Sequence, residues 1–203
     1  MPNVILVRAI IVDPHPIFCD ALKTCLTKGG HLVLGKVSNL EEARQQVDAL
    51  EPNLMILGPH LAESGLAICC SITSRTPTLK RILFTAHAND LIFQADAVYA
   101  GVNALLFPES TEEDCLETIA KVMAGHQFFS NEVLALAFQQ IDLTKRERQV
   151  LELVVQEKTD QEIANTLAIS RFTIRNHTQR ILEKLGVHGR KEAIWRARHR
   201  GLI

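Results

Sequence analysis

The sequence predicts an α/β domain with a doubly wound, five-stranded parallel sheet, followed by an all-α domain of four helices with a helix-turn-helix. Three observations lead to this fold. Short apolar runs alternate with helical stretches through residues 1–125, whereas residues 143–203 contain only helical patterns and start signals. The sign of the charge also changes between these two segments. At 203 residues the chain is long enough for each part to bury a core of its own.

Five short apolar runs predict the strands of the sheet. They are rich in aliphatic and β-branched residues and are nearly continuous, as is typical of strands covered on both faces. The predicted strands are residues 8–12, 31–35, 53–57, 80–85 and 103–107.

Helical patterns separate these strands. The predicted helices are residues 18–26, 38–50, 63–75, 89–100 and 111–124. Ser38 with Glu41 and Ser110 with Glu113 have the spacing of capping boxes at two of the helix starts. Because ligands of such sheets bind at the carboxyl ends of the strands, the loops after the strands are the candidate site.

Residues 126–142 are predicted to be a linker that contains a packed helix over 131–140. Four short helices follow in 143–203, the last running to Arg200. Their start signals are two capping boxes, an N-cap serine and a glycine: Thr144 with Glu147, Thr159 with Glu162, Ser170, and Gly189.

The net charge of −1 conceals two segments of opposite sign. Residues 143–203 carry 13 basic and 7 acidic side chains, a net charge of +6, and the upstream part has a net charge of −7. A basic helical module suggests a polyanion as its ligand. No apolar run approaches the ~18 residues of a membrane span. The start of the chain lacks the features of a secretion signal, so we expect a cytoplasmic protein without a membrane partner.

The segment Val12–Pro16, the strand ending at Thr85-Ala86, and Ala100-Gly101 before the fifth strand together resemble the receiver domain of bacterial response regulators. The resemblance covers residues 8 to about 125. It implies a phosphoacceptor Asp after the third strand, two acids that hold Mg²⁺ after the first strand, and a Lys after the fifth.

Most of this implied chemistry is missing. Asp13 and the Thr85 hydroxyl remain, but Pro14, Gly58 and Pro108 occupy the positions of the second acid, the phosphoacceptor and the Lys. No carboxylate within residues 53–62 replaces the acceptor. We therefore expect a degenerate phosphorylation pocket that does not accept a phosphoryl group.

Three histidines, His15, His60 and His87, lie in the same set of loops. Imidazole suits transition metals, so a metal site is one interpretation. Solvated loop histidines are the favoured interpretation, and we expect no metal and no cofactor.

The stretch LTKRERQVLELV, with TDQEIANTLAISRFTIRNHTQRILEKLGV after it, closely resembles the LuxR-type helix-turn-helix of the NarL/FixJ response regulators. The match covers residues 143–203, with the helix-turn-helix itself at 159–178. With the receiver-like part, the whole chain resembles an atypical response regulator of this class. The resemblance implies double-stranded DNA as a partner.

A helical wheel of residues 171–185 divides the expected recognition helix into two faces. Ile174, Thr178, Ile181 and Leu185 are predicted to face inward. Arg175, Asn176, Gln179 and Arg180 lie on the other face, and Arg, Asn and Gln are the side chains that read guanine and adenine edges in the major groove. The resemblance implies that Arg175, Asn176 and Gln179 face DNA bases, whereas Thr173 and Lys184 suit contacts to phosphates.

Two aromatic residues of this domain each have two possible roles. Phe172 stands where the family commonly has a small residue, and it is expected either to touch a thymine methyl or to fold onto the core. Trp195 is a candidate dimer contact, because in this family the last helix pairs two DNA-binding domains; packing within its own domain is the alternative.

The sequence thus predicts a dimeric, phosphorylation-independent transcriptional regulator and not an enzyme, since no catalytic motif is present. Another regulatory protein or RNA polymerase is a further candidate partner. A thiol- or ligand-responsive sensor is the first alternative: Cys19 and Cys115, among five cysteines, lie near helix starts that can lower a thiol pKa. A protein-interaction module without DNA binding is the second.

Overall fold

The computed structural model describes residues 6–73, 76–87 and 90–203. The chain divides into two compact units, Met1–Ala137 and Phe138–Ile203. Each unit has its own buried apolar cluster.

The first unit is built on a parallel sheet of five strands. The strand order is β2-β1-β3-β4-β5, and every neighbouring pair is parallel. β3 is buried along its whole length, as its LMIL sequence predicts. This confirms the predicted fold class, with strand ends that differ from the predicted ends by up to two residues. The strands are β1 Arg8–Val12, β2 Leu32–Val37, β3 Leu54–Leu57, β4 Lys80–Phe84 and β5 Ala104–Leu106.

Helices alternate with these strands. A 3₁₀ turn, Pro59–Leu61, precedes α3. The predicted helices 63–75 and 89–100 each have an end outside the described residues. The helices are α1 Pro16–Lys28, α2 Leu40–Leu50, α3 Ala62–Thr73, α4 Leu91–Tyr99, α5 Glu112–Met123 and α6 Asn131–Ala137.

The core covers both faces of the sheet. Apolar side chains of α1 and α5 pack with alternate residues of the strands, among them Ile11, Ile56 and Ile82. The intervening strand residues Ile10 and Met55 are also fully buried, and α3 contacts both α2 and α4. The inner strands β1, β3 and β4 therefore expose little beyond their ends, whereas the edge strand β2 is mostly half-buried or exposed. The carboxyl ends of the strands form the candidate site.

The capping residues of two helices lie one position later than predicted. Asn39, and not Ser38, caps α2 by accepting a hydrogen bond from the Glu42 N–H. Thr111, and not Ser110, caps α5 in a capping box with Asp114. In each case two adjacent side chains can cap a helix, and the sequence alone does not distinguish them.

The helix predicted within the linker 126–142 is α6. Val133 and Ala137 are buried against Ala95 of α4. α6 therefore packs within the first unit, and the second unit begins at Phe138.

The second unit contains four helices, α7 Lys145–Val155, α8 Asp160–Leu167, α9 Arg171–Leu185 and α10 Arg190–His199. The capping boxes of Thr144 with Glu147 and of Thr159 with Glu162 are both present, and Ser170 caps α9. All three caps are confirmed. The core is formed by aliphatic residues of all four helices. Within the described part of the chain, no helix is long and apolar enough to cross a membrane.

Candidate nucleic-acid interface and the pocket at the sheet edge

The inward face of α9 anchors this helix to the second unit. Ile174, Ile181 and Leu185 are buried in the apolar cluster, and Thr178 is half-buried, in agreement with the helical wheel. At its C-terminus Gly186 adopts a left-handed conformation, φ 65°, which ends the helix.

The outward face of α9 is polar. Arg175, Asn176, Gln179 and Arg180 are all exposed, as predicted. The amide of Gln179 donates to Glu183 Oε1 at 3.1 Å. Amide and guanidinium groups on one exposed helix face are the side chains that major-groove readout requires.

The contacts of Arg175 leave it free to move. Its Nε lies 3.7 Å from Asp160 Oδ2, and its side chain is 64% exposed. Asp160 also pairs with Arg190, whose Nη1 lies 3.1 Å from Oδ1. An exposed ion pair at this distance is weak. Arg175 can therefore leave Asp160 for another partner without leaving that carboxylate unpaired.

Phe172 and Thr173 lie in the first turn of α9. The Phe172 side chain is 73% exposed, so the interpretation in which it folds onto the core is wrong. Contact with a thymine methyl stays a prediction. Thr173 is half-buried, and its hydroxyl lies 2.8 Å from that of Ser170, within the N-cap of the helix.

Lys184, the expected phosphate ligand, binds groups of its own domain in this structure. Its ammonium donates to Glu147 Oε2 at 2.8 Å and to the carbonyl of Asp142 at 3.0 Å. The Glu147 side chain is only 5% exposed. Lys184 thus neutralises a buried carboxylate of its own domain, a role that the local sequence did not reveal because Glu147 is 37 residues away.

Trp195 lies in α10 and is half-buried, whereas Ala193 and Ala197 of the same helix are buried. This placement leaves part of the Trp195 ring accessible. Its assignment to a dimer contact remains a prediction.

The pocket of the first unit centres on Asp13, which directly follows β1. Its carboxylate is completely buried. Oδ1 accepts the backbone N–H of His15 at 2.7 Å, and Oδ2 accepts that of His60 at 3.3 Å. β1 and β3 are neighbours in the sheet, and this pairing brings His60 next to Asp13.

Both imidazole rings also approach this carboxylate. His15 Nδ1 lies 3.1 Å from Oδ1, and His60 Nδ1 lies 3.3 Å from Oδ2. The two ring centroids are 3.6 Å apart. His87 is separate and stacks on Phe93. His15 and His60 are exposed loop residues, as the favoured interpretation expects, and their rings also contact the Asp13 carboxylate.

At three other pocket positions, Gly58, Pro14 and Pro108 offer neither a carboxylate nor an ammonium group. A Cβ at Gly58 would lie 2.0 Å from Asp13 Oδ2, so the carboxylate occupies the space of a side chain at this position. Thr85 is buried and accepts the backbone N–H of His87. Pro14 and Pro108 are exposed.

These residues do not fit Mg²⁺, the ion that the receiver resemblance implies. Mg²⁺ prefers an octahedron of oxygen atoms, usually from one or two carboxylates and water. Among the described residues this cluster has a single carboxylate, and each of its oxygens already accepts a backbone hydrogen bond and faces an imidazole.

The five cysteines are free, and Cys19, Cys25, Cys69 and Cys115 are buried. Burial raises the pKa of the Cys19 thiol and, assisted by its proximity to Asp13, keeps it protonated. Burial, reinforced by Cys25, raises the pKa of Cys115 to about 12. The thiol-sensor alternative would need lowered pKa values, but burial outweighs the effect of the helix start and raises both.

Comparison with known families matches both units. Residues 9–120 match the response regulator receiver domain, and residues 142–197 match the bacterial regulatory proteins of the luxR family.

Curated relatives are similar over nearly the whole chain. The transcriptional regulatory protein DesR of Bacillus subtilis is 33% identical over 97% of this chain and 98% of its own length. The DNA-binding transcriptional activator DevR/DosR of Mycobacterium tuberculosis is 25% identical over 93% of this chain and 92% of its own.

Solved structures show the same fold. RcsB of Salmonella enterica serovar Typhimurium, bound to the promoter P1flhDC with the phosphomimetic BeF₃⁻, aligns with a TM-score of 0.70 and 21% identity, covering 93% of this chain and 96% of that one. A structure of two RcsB dimers bound to two parallel DNAs aligns with a TM-score of 0.68 and 21% identity, covering 94% and 96%.

Proposed function

Because the chain belongs to the response regulators that join a receiver domain to a LuxR-type DNA-binding domain, and is thus a DNA-binding transcriptional regulator, we propose that it reads DNA bases with the outer face of α9 and acts without phosphorylation. The supporting observation is the exposed set Arg175, Asn176, Gln179 and Arg180 on a capped helix with a buried inner face. Contacts to phosphates supply most of the affinity, and these side chains supply the specificity.

A binding experiment with a matched control tests the base-reading face. A duplex is first selected from a random pool with the full chain, and the affinities of variants are then measured on this site and on random DNA. Arg175→Ala should lose about 5- to 150-fold on the selected site, roughly 1–3 kcal/mol, and much less on random DNA. Lys191→Ala, which removes one exposed positive charge from α10, should affect both DNAs similarly. Equal losses on both DNAs for Arg175→Ala would remove this residue from the base-reading set.

Independence from phosphorylation rests on the pocket. Gly58 offers no nucleophile, and the space beside it holds the Asp13 carboxylate. Incubation with acetyl phosphate and Mg²⁺ should therefore leave the mass and the DNA affinity unchanged, and Gly58→Asp alone should not restore phosphorylation. A stable phosphoryl adduct on the first unit of the native chain would contradict the proposal.

We also propose that the protein acts as a dimer on paired half-sites. Support comes from the similar fold of RcsB, which has been solved as dimers bound to DNA. Trp195 is the candidate contact between second units, because its ring is partly exposed on α10. Sedimentation of the full chain on two-half-site DNA should give two protomers per duplex. Trp195→Ala should weaken the binding of the second protomer more than that of the first; equal weakening of both would assign Trp195 to packing within its domain.

The sensor alternative now rests on a ligand more than on the thiols. Raised thiol pKa values slow oxidation, so Cys19 and Cys115 should keep their thiols under mild oxidant, as a free-thiol count would show. RNA polymerase or a second regulator, the other proposed partner, would be sought by co-purification on promoter DNA.

A further inference from the structure

The cluster of Asp13, His15 and His60 combines the residue types of a metal centre. One ligand atom from each residue lies within 4.8 Å of the others. Asp13 follows β1 and His60 lies in the turn after β3, so the pairing of these two strands fixes the positions of two members. His15 is the residue immediately before α1, so the start of this helix fixes the position of the third member.

The buried carboxylate of Asp13 creates a demand for positive charge. Its side chain is fully buried, and among the described residues its ion-pair partners are the two imidazoles. No Lys or Arg within this described part pairs with it. A buried carboxylate without a fixed cation is costly unless a proton or a metal ion balances its charge.

We propose that Asp13, His15 and His60 bind a first-row divalent transition metal ion, for which Zn²⁺ is the best fit. Zn²⁺ bonds of about 2.0–2.1 Å in a tetrahedron place ligand atoms about 3.3 Å apart. His15 Nδ1 lies 3.1 Å from Oδ1 and His60 Nδ1 lies 3.3 Å from Oδ2, so the two contacts involve different oxygens. One ligand atom of each residue lies within 4.8 Å of the other two, and a small shift of the exposed rings would close this set around one ion. The half-exposed rings leave the fourth position to water.

The same residues explain why this ion differs from the one that receivers hold. Two imidazoles and one carboxylate select a borderline metal, whereas Mg²⁺ selects oxygen atoms. The backbone N–H groups of His15 and His60 bind one lone pair on each Asp13 oxygen and orient the carboxylate toward the rings. Gly58 is part of this arrangement, because any side chain there would displace Asp13.

A bound ion would link the loop after β1 to the turn after β3, the edge where receivers accept their input. The pocket would then respond to a metal ion in place of a phosphoryl group. This inference does not depend on the DNA-reading face, because the test below uses no DNA.

The test measures metal binding by the full-length chain. Metal-free protein is titrated with Co²⁺, whose visible absorption reports its ligands, and Zn²⁺ affinity is measured by competition with a chromogenic chelator. We expect one equivalent bound, with weak d–d bands of nitrogen and oxygen ligands and no thiolate charge-transfer band. His15→Ala and His60→Ala should each weaken Zn²⁺ binding by at least about a hundredfold, since the loss of an outer-shell partner alone costs about 10- to 100-fold. His87→Ala, a histidine of the same sheet edge outside the cluster, should bind as the native chain does.

The thermal unfolding of each metal-free variant shows whether it is folded, and Zn²⁺ should raise the melting temperature of the native chain and of His87→Ala only. Three results would overturn the proposal: no binding of either ion by the native chain, unchanged affinity in His15→Ala or His60→Ala, or an intense thiolate band that assigns the ion to cysteines.

Discussion

Glu147 is a single residue on which the stability of the second unit depends. Burial alone would raise its pKa, but hydrogen bonds from Lys184 and Thr144 outweigh burial and lower the pKa from 4.5 to about 2. A group with a lowered pKa stabilises the fold above its unfolded-state pKa and loses this contribution as the pH falls through its folded pKa. We expect the free energy of unfolding to lose about 3 kcal/mol from Glu147 between about pH 5 and pH 2.

Fluorescence of Trp195, the one tryptophan of the chain, can follow this loss, because it lies in the second unit. In urea unfolding, Glu147→Gln should be less stable than the native chain at pH 7, and the difference should shrink toward pH 2. Glu152→Gln, an exposed glutamate of the same helix, should leave the pH profile unchanged. A constant difference across the whole pH range would contradict the pairing with Lys184.

Gly58 is a second residue at which a substitution should change stability. A Cβ there would meet Asp13 Oδ2 at 2.0 Å and Asp13 Cβ at 2.6 Å, so the buried Asp13 must move. Gly58→Ala should therefore destabilise the first unit by about 1–3 kcal/mol, as overpacking does. Gly189→Ala is the control, since a Cβ there would approach nothing closer than 3.9 Å. Thermal unfolding compares the stability of the two variants. Equal melting temperatures would show that Asp13 moves aside without a cost in stability.

At the scale of elements, the caps set the boundaries of the helix-turn-helix. Thr159 accepts the Glu162 N–H, and the Glu162 carboxylate binds the Thr159 N–H at 2.7 Å. Thr159→Ala should lower the stability of the second unit by about 1 kcal/mol. Thr166→Ala, an exposed threonine inside the same helix, should cost much less. The Trp195 signal during urea unfolding compares the two, and an equal loss would mean that α8 does not depend on its cap.

The elements themselves could largely be predicted from sequence. Continuous aliphatic runs are typical of strands covered on both faces, and all five predicted strands are present, although β2 and β5 lie at the edges of the sheet. Boundaries were less certain wherever two neighbouring residues offer the same chemistry. Ser38 and Asn39, like Ser110 and Thr111, are both competent caps, and the choice depends on the tertiary position of the helix.

The candidate sites were predictable to a different extent. The exposed face of α9 follows from helical periodicity, which is a local property. The pairing of Lys184 with Glu147 and the approach of His60 to Asp13 are contacts across 37 and 47 residues. Sequence spacing gave no sign of the Lys184 pair. The predicted strand ends placed His60 and Asp13 in the same set of loops, but only the assembled fold shows that they touch.

At the scale of the whole molecule, we predict that the first unit supplies the linkage for cooperative DNA binding. Two joined DNA-binding domains reach paired half-sites at a high effective concentration. The fragment 138–203 should therefore match the full chain on a single half-site and bind two half-sites much more weakly. It must include Ile141 and Asp142, which contribute to the core and to the Lys184 contact; a fragment 143–203 would lose both.

The comparison of the fragment with the full chain on both DNAs distinguishes two models. Tighter binding of the fragment to both DNAs would mean that the first unit inhibits α9, contrary to this prediction. The metal-free and Zn²⁺-loaded forms of the full chain provide a control for the state of the Asp13 cluster.

The carboxylate beside Gly58 also bears on the evolutionary history of this protein. A descendant that regained an acidic side chain at 58 by one mutation would pass through a form in which that side chain collides with Asp13. A functional acceptor would need further replacements at Pro14 and Pro108, each without benefit until the others are in place. Loss of the acceptor is therefore easy and its return is hard. Descendants of this lineage should retain glycine at 58 and should diversify the neighbouring loops instead.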